Sequence, residues 1–409
     1  MKREDGRIPE LDGFRVLMVF LVSWYHFWQQ SWLTPYIGSY SLDYLIRAGY
    51  MPVDGTILLS GFLLFLPCAR AYLRGEELPS PRSFFRKRIM RIVPSFWLIT
   101  LLMLFVVVLP YHLYTDRKSL AYDVAMHLLL ILNWDRRTYL GTQLGGSSWT
   151  AAVEMQLYVL VPLLSRLARK KPLAVMASMM AVSAYFRVYC LFTLKDFSMV
   201  VNQPVSFLDV YAMGMGCAFL YEIIRKKYDE FAGELEDTKA KRRLMLMQLA
   251  ATVTFLLGFW GFLRVLRVQA QSPGFEVLQA GQMVRRPILS LTLSLVLLSL
   301  PFCVLPIRAL FGNPLMHFLS VISFNYYLIH QNLAVYLRRV GVPYSAYENP
   351  NYESDRPWQY RFTILCFVLS LLAATLATFL VEKPCAKGLK KLFEALDRKK
   401  ETRKQKKIE

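Results

Sequence analysis

Arg15 and His26 are the first side chains along the chain whose types and spacing could support catalysis. They lie eleven positions apart in one apolar segment. That spacing is close to three helical turns, so a helix would place both on one face, about 16 Å apart. Charged groups inside a membrane helix are costly and usually functional, and imidazole is the usual base for activating a hydroxyl. We therefore predict that His26 is a catalytic base supported by Arg15. The alternative is that Arg15 snorkels as an anchor and that His26 lies among the outer headgroups.

Glu154 is a candidate acidic partner for that base. It lies near the start of a later apolar segment, which we expect to begin at the outer face of the membrane. At that depth Glu154 could orient the ring of His26, as the acidic member of a catalytic triad does. The alternative is a carboxylate that only complements the dipole at the start of its helix.

Arg88 and Arg91 form a basic pair three positions apart, with Lys87 beside them, at the start of another apolar segment. Arginine binds phosphate well because its planar fork of donors contacts two oxygens at once. The cluster could therefore bind the phosphate groups of a ligand. The alternative is that these charges only fix the orientation of the chain in the membrane.

The composition places these residues in a membrane protein. Hydrophobic residues make up 55% of the 409 residues, whereas usage in soluble domains is nearer half. The net charge of +20 would suit nucleic acid only if the basic residues shared a soluble face. They flank apolar segments instead, so we do not expect nucleic acid as a partner. The six cysteines show no metal-ligand spacing, so we predict no metal site, and we expect each to be a small core side chain.

Ten segments are long and apolar enough to cross a bilayer core of about 30 Å, which requires roughly 20 residues. They cover residues 11–33, 45–68, 89–110, 149–168, 172–194, 205–225, 244–267, 286–305, 316–338 and 361–382. The stretch Leu120 to Leu132 is too short to span and predicts a re-entrant or interfacial helix. The sequence therefore predicts an all-α, polytopic membrane protein with about ten transmembrane helices.

The basic residues also predict the orientation of these helices. With both termini in the cytoplasm, the cytoplasmic segments contain 33 of the 49 lysines and arginines, and the outer loops contain 13. That asymmetry is the usual one for a plasma membrane protein. The basic tail, residues 385–409, would then be cytoplasmic, where it could bind anionic lipid.

Six motifs in this chain resemble, in order and spacing, those of membrane-bound acyltransferase family 3. They are Ile8–Arg15 with Trp24–Phe27, Met51–Asp54 with Leu59–Phe62, Phe84–Pro94, Trp149–Tyr158 with Pro162, Ile322–His330, and Val381–Pro384. Two stretches depart from the family pattern, Gly55-Thr56 and Thr150-Ala151-Ala152, and Met155 stands where the family has a second acidic residue. These departures concern substrate preference more than chemistry.

The resemblance implies transfer of an acyl group, most often acetyl, from cytoplasmic acyl-CoA to a hydroxyl on an envelope glycan or another exported carbohydrate or glycolipid. Acyl-CoA would be a donor substrate whose 3′-phosphate or pyrophosphate suits Arg88, Arg91 and Lys87, and no permanently bound cofactor is expected. The acyltransferase domain would cover residues 1–384, in the inner membrane of a bacterium. The resemblance also implies further cavity residues: Asp54, Ser60, Trp149, Tyr158 and His330. For His330 a structural role, pairing with a backbone carbonyl, is the competing interpretation.

Two other functional classes are compatible with such a chain. Intramembrane arginine and carboxylate side chains could line the substrate path of a secondary transporter or a glycolipid flippase. A non-catalytic scaffold or sensor is the third possibility, although the longest predicted outer segment, residues 110–148, is too short to form a typical domain.

Overall fold

The computed structural model describes residues 7–234, 236–352 and 355–405. Its helices are α1 Glu10–Ser31, α2 Asp43–Arg47, α3 Val53–Arg74, α4 Pro81–Met103, α5 Arg117–Leu128, α6 Arg136–Tyr139, α7 Trp149–Ala168, α8 Pro172–Thr193, α9 Leu208–Gly233, α10 Thr238–Ala270, α11 Phe275–Ser299, α12 Leu305–Phe311, α13 Pro314–Arg339, α14 Arg356–Leu376 and α15 Lys383–Gln405. The short antiparallel strands β1 (Tyr36–Ile37) and β2 (Tyr40–Ser41) follow α1. Helices α4 and α14 continue as π-helical turns, Leu104–Val108 and Ala377–Glu382.

Within the described residues, nine helices are long and apolar enough to cross a membrane, and they correspond to the second to tenth predicted spans. Helix α1 has 22 residues, about 33 Å, so it matches the others in length. Its acidic first turn, Glu10 and Asp12, and the charge of Arg15 make it more polar. It packs against α3, α13 and α14 inside the bundle. The all-α polytopic membrane fold predicted from the sequence is confirmed.

The second predicted span begins too early. Residues 43–47 form the separate helix α2, and α3 starts only at Val53. Pro52 directly precedes the first turn of α3, and a proline there interrupts any helix arriving from α2 because it lacks a backbone N–H. Arg47, expected within the span, is an exposed side chain 3.5 Å from Asp43.

Polar contacts join the helix ends at two opposite faces. At the face where α1 begins, here the inner face, Arg308 contacts Glu10 at 3.0 Å and Arg70 contacts Glu222 at 2.9 Å. At the outer face, Tyr50 accepts a hydrogen bond from Gln269 at 2.6 Å. There Arg136 also pairs with Asp196, whose pKa is lowered to about 2 by hydrogen bonds from Ser198 and then from Arg136. Because the long helices alternate in direction, α15 lies at the inner face with the start of α1.

Helix α5 covers most of the stretch Leu120 to Leu132. Its 12 residues extend about 18 Å, so it is too short to span. It packs against α4, where the indole nitrogen of Trp97 donates to the carbonyl of Leu128 at 3.0 Å. Of the cysteines, five are buried as expected, whereas Cys385 on α15 is exposed.

Close contact between α3 and α9 fixes the backbone that supports the site. A Cβ on Gly214 would lie 2.3 Å from the carbonyl oxygen of Leu58, and one on Gly61 would lie 2.8 Å from that of Tyr211. Only glycine permits this approach, which is a common way for membrane helices to pack without cavities. Helix α3 is therefore held firmly while its opposite face presents Thr56 and Ser60 to the bundle interior.

Candidate active site

An inner cavity of about 110 Å³ lies between α1, α3, α4, α7 and α13. Its polar lining comprises Arg15, Thr56, Ser60, Arg88, Arg91, Thr150, Glu154, Tyr158, Ser323 and Tyr327. Three arginines therefore share this cavity with one carboxylate, so the lining carries a net positive charge. The two arginines predicted to bind the donor are brought together with Arg15, which the sequence placed on the same helix as His26 and on the cytoplasmic side of it.

The hydrogen bonds within the inner cavity leave arginine N–H groups available to bind a ligand. The hydroxyl of Tyr158 donates to Glu154 at 2.8 Å and lies 3.2 Å from the hydroxyl of Ser60. The guanidinium of Arg88 lies 5.5 Å from the ring centre of Tyr158. Among the described residues, the Nε of Arg88 is buried and has no hydrogen-bond partner. Buried donors are nearly always paired, so this nitrogen is suited to an anionic ligand.

Lys87 does not belong to this group. Its side chain is exposed and does not line the cavity. Consecutive helical residues point about 100° apart, so a residue next to Arg88 faces away from the cavity that Arg88 and Arg91 line. The predicted basic cluster on α4 is therefore reduced to two arginines.

An outer cavity of about 200 Å³ lies nearer the outer face. Its polar and aromatic lining comprises Tyr25, His26, Tyr50, Asp54, Tyr139, Trp149, Ser198, Asn202, Gln279, Gln282 and Tyr327. His26 and Trp149 therefore line the same cavity. Aromatic rings and neutral amides predominate here, in contrast to the arginines of the inner cavity.

The ring of His26 is paired with a second histidine. Its Nδ1 lies 2.7 Å from the Nε2 of His330, and the Nδ1 of His330 lies 3.2 Å from the carbonyl oxygen of Tyr326. His330 is fully buried and lies behind His26 rather than in the cavity lining. The backbone pairing expected from a structural role is present, but the same ring also holds the candidate base.

Glu154 is not brought to His26. It lines the inner cavity, and its carboxylate accepts a hydrogen bond from Tyr158. Glu154 lies five residues into α7, about 7.5 Å below the outer end of that helix, and its side chain lines the inner cavity with residues of α1, α3, α4 and α13. The geometry predicted from the sequence, in which Glu154 orients the imidazole, is therefore wrong, and Arg15 likewise faces the inner cavity.

Tyr327 lines both cavities and was missed as a candidate. It lies three positions before His330 on α13, so both polar rings project from the same side of that helix. That spacing was the available signal in the sequence. Thr56 and Thr150, in the two stretches that depart from the family pattern, line the inner cavity.

Asp54 lies at the edge of the outer cavity, where its charge is neutralised. The Nε of Arg286 contacts its carboxylate at 3.0 Å. Arg286 is fully buried, donates to the hydroxyl of Ser206 at 2.6 Å, and lies 3.9 Å from the ring centre of Phe207. The sequence placed Arg286 at the end of a span, and only the fold shows that it is the partner of Asp54, 232 positions away.

A comparison with protein families identifies the family of this chain. The model of the acyltransferase 3 family, described as an acyltransferase domain, matches residues 8–382. No curated protein and no solved structure matches the chain. The match covers nearly the whole chain and includes every residue that lines the two cavities. The protein therefore belongs to the acyltransferase 3 family and is a multi-pass membrane acyltransferase.

Proposed function

We propose that this acyltransferase moves an acetyl group from cytoplasmic acetyl-CoA to a hydroxyl of an exported carbohydrate or glycolipid, at a bacterial plasma membrane. The observation that carries the proposal is the pair of cavities with Tyr327 as a common wall. One cavity has the chemistry to bind an anionic donor, and the other has the chemistry to deprotonate a neutral acceptor.

The arginines of the inner cavity support the donor half of the proposal. Coenzyme A carries several phosphate charges, and charge-assisted hydrogen bonds to arginine are among the strongest that proteins make. Arg88 and Arg91 lie two to three turns into α4 from its inner end, so they are accessible to a donor that enters from that side. Arg15 lies on the opposite wall and would hold the donor from α1.

The lining of the outer cavity supports the acceptor half. Sugars present hydroxyls at their edges and C–H groups on their faces, and this cavity offers amides for the first and aromatic rings for the second. His26 would take the proton of one hydroxyl as its oxygen attacks the acyl carbon. Base catalysis of this kind typically contributes 10²- to 10⁴-fold.

Sided membrane vesicles provide the test. Acetyl-labelled acetyl-CoA is added to inside-out or to right-side-out vesicles that contain the protein together with envelope glycan from the host, and label in the glycan is measured. We expect incorporation only when the donor reaches the inner face. Equal incorporation from both sides, or label that remains on small molecules alone, would contradict the proposal.

The exposed Cys385 supplies the orientation control for those vesicles. Because the other five cysteines are buried, a membrane-impermeant maleimide should label the unmodified protein only in inside-out vesicles. A Cys385→Ser variant should remove that signal in both preparations. Labelling of Cys385 in right-side-out vesicles would place the basic tail outside and overturn the proposed orientation.

A further inference from the structure

The hydrogen bonds of His330 define which of its nitrogens carries a proton. Its Nδ1 lies 3.2 Å from the carbonyl oxygen of Tyr326. A carbonyl oxygen can only accept, so this nitrogen must be the donor. In a neutral imidazole the other nitrogen is then an acceptor. The Nε2 of His330 therefore offers a lone pair to whatever lies next to it.

The neighbour of that lone pair is the Nδ1 of His26, at 2.7 Å. To make this hydrogen bond, the Nδ1 of His26 must carry the proton. The Nε2 of neutral His26 is then left with a free lone pair, which is the form that a general base requires. The backbone carbonyl of α13 thus determines the protonation pattern of a ring on α1, through one intervening imidazole.

We propose that His330 is a positioning residue that holds His26 in the tautomer and orientation needed to accept a proton at Nε2. This inference rests on the proposed function. The acceptor oxygen forms the new bond to the acyl carbon, and the carbon–sulfur bond of the thioester breaks. The proton taken from the hydroxyl resides on His26 Nε2 until the departing thiolate receives it.

The surroundings of His330 favour a neutral partner for His26. His330 is packed between the rings of Tyr326, Phe27 and Tyr327, with centroid separations of 5.9, 6.1 and 5.4 Å. The hydroxyl of Tyr326 is engaged with Ser23 at 2.9 Å. A carboxylate in this apolar layer would be a buried charge, which is costly unless paired. A second imidazole performs the orienting role of a triad carboxylate without adding a charge.

Two substitutions at His330 separate hydrogen bonding from mere packing. His330→Gln places an amide oxygen near the former Nε2, so it can still accept from His26, whereas His330→Leu cannot accept. The two variants and a His317→Gln control are purified in nanodiscs. His317→Gln alters an exposed histidine of the same helix. The kcat and the KM for donor and acceptor are measured, with thermal unfolding and acetyl-CoA binding as checks on folding.

We expect His330→Leu to lower kcat by about 10- to 100-fold, the usual effect of losing a residue that orients a functional histidine. The KM values should change little, and His330→Gln should restore most of kcat. Wild-type kcat in a folded His330→Leu protein, or equal loss in the Gln and Leu variants, would overturn the inference. If His26→Ala is itself active, it is the assignment of the base in the proposed function that fails.

Discussion

Arginine and carboxylate side chains lie at both the inner and the outer cavity. Their charges are balanced at the outer cavity but not at the inner one. Around the inner cavity, Arg15, Arg88 and Arg91 face a single carboxylate, and the buried Nε of Arg88 has no partner among the described residues. Around the outer cavity, the charge of Asp54 is matched by Arg286, and the ring of His26 is hydrogen-bonded to that of His330.

This difference in charge balance indicates that the two cavities of the bundle have different functions. An excess of one charge in a partly dry site binds an opposite charge strongly, which suits a phosphorylated donor. A neutralised, aromatic site keeps a histidine uncharged and able to accept a proton. Substitutions in the two cavities should therefore have separable effects, on donor affinity in one case and on the chemical step in the other.

The largest effect should follow from His26→Ala. We expect acyl transfer to fall by about 10²- to 10⁴-fold, because the hydroxyl loses its base. Acetyl-CoA affinity should remain at the wild-type value, since His26 lines only the outer cavity. Transfer and binding are measured on purified protein at matched levels, with His317→Ala as control. If His26→Ala also lowers the affinity for acetyl-CoA, the proposed difference in function between the two cavities is contradicted.

The next effect concerns stability and tests whether the charge of Asp54 is structural. Asp54→Ala leaves Arg286 buried without its partner, and breaking a buried ion pair typically costs about 3–5 kcal/mol. We expect a marked fall in the thermal unfolding temperature in detergent. Asp43→Ala, which removes an exposed pair with Arg47, should have almost no effect. Unchanged stability with lost transfer would instead place Asp54 in the chemistry.

Arg88→Ala and Arg91→Ala should act on the donor. Each charge-assisted contact to phosphate contributes on the order of 1.5–3 kcal/mol, so each variant should weaken acetyl-CoA binding by about 10- to 100-fold. Lysine at either position should restore binding only in part, because the bidentate fork is lost.

The matched control is Lys87→Ala, which removes an exposed charge from the same turn of α4 without touching the cavity. Isothermal titration in nanodiscs measures the three affinities. If the double variant Arg88→Ala/Arg91→Ala binds as well as wild type, the pair serves only to orient the chain. If Lys87→Ala binds as weakly as the arginine variants, the loss reflects general surface charge.

The smallest effect should come from Tyr327, the wall between the cavities. Tyr327→Ala removes the ring that lines both cavities, so we expect longer acyl groups to gain by about several-fold relative to acetyl. Competition between acetyl-CoA and butyryl-CoA measures the change. Tyr327→Phe keeps the volume and should preserve the wild-type preference. An unaltered ratio in Tyr327→Ala would mean that selection occurs elsewhere.

Much of the fold followed from the sequence because bilayer thickness fixes the length of an apolar span. The ten segments, the short α5 and the outer position of His26 all depend on local composition or on position along one helix. The second span was misplaced because apolar residues continue from α2 into α3, and Pro52 marks the true start.

The site was harder to predict because its contacts join distant parts of the chain. Arg15, Arg88, Arg91 and His26 could be found from residue type and spacing, and Trp149 from the family resemblance. The pairing of His26 with His330 and of Asp54 with Arg286 depends on how α1, α3, α11 and α13 pack, and no local pattern encodes that packing. Glu154 was assigned to the wrong cavity for the same reason. Its depth was estimated, but the direction of its side chain was not.

The common wall at Tyr327 also affects the membrane as an insulator. The two cavities lie at different depths of the bundle, and Tyr327 lines both of them. A bilayer maintains ion gradients only while no continuous column of water crosses it. Under the proposed function, in which an acyl group passes from one cavity to the other, the ring of Tyr327 would also have to interrupt hydration, and tight packing around it would serve cellular energetics as well as catalysis.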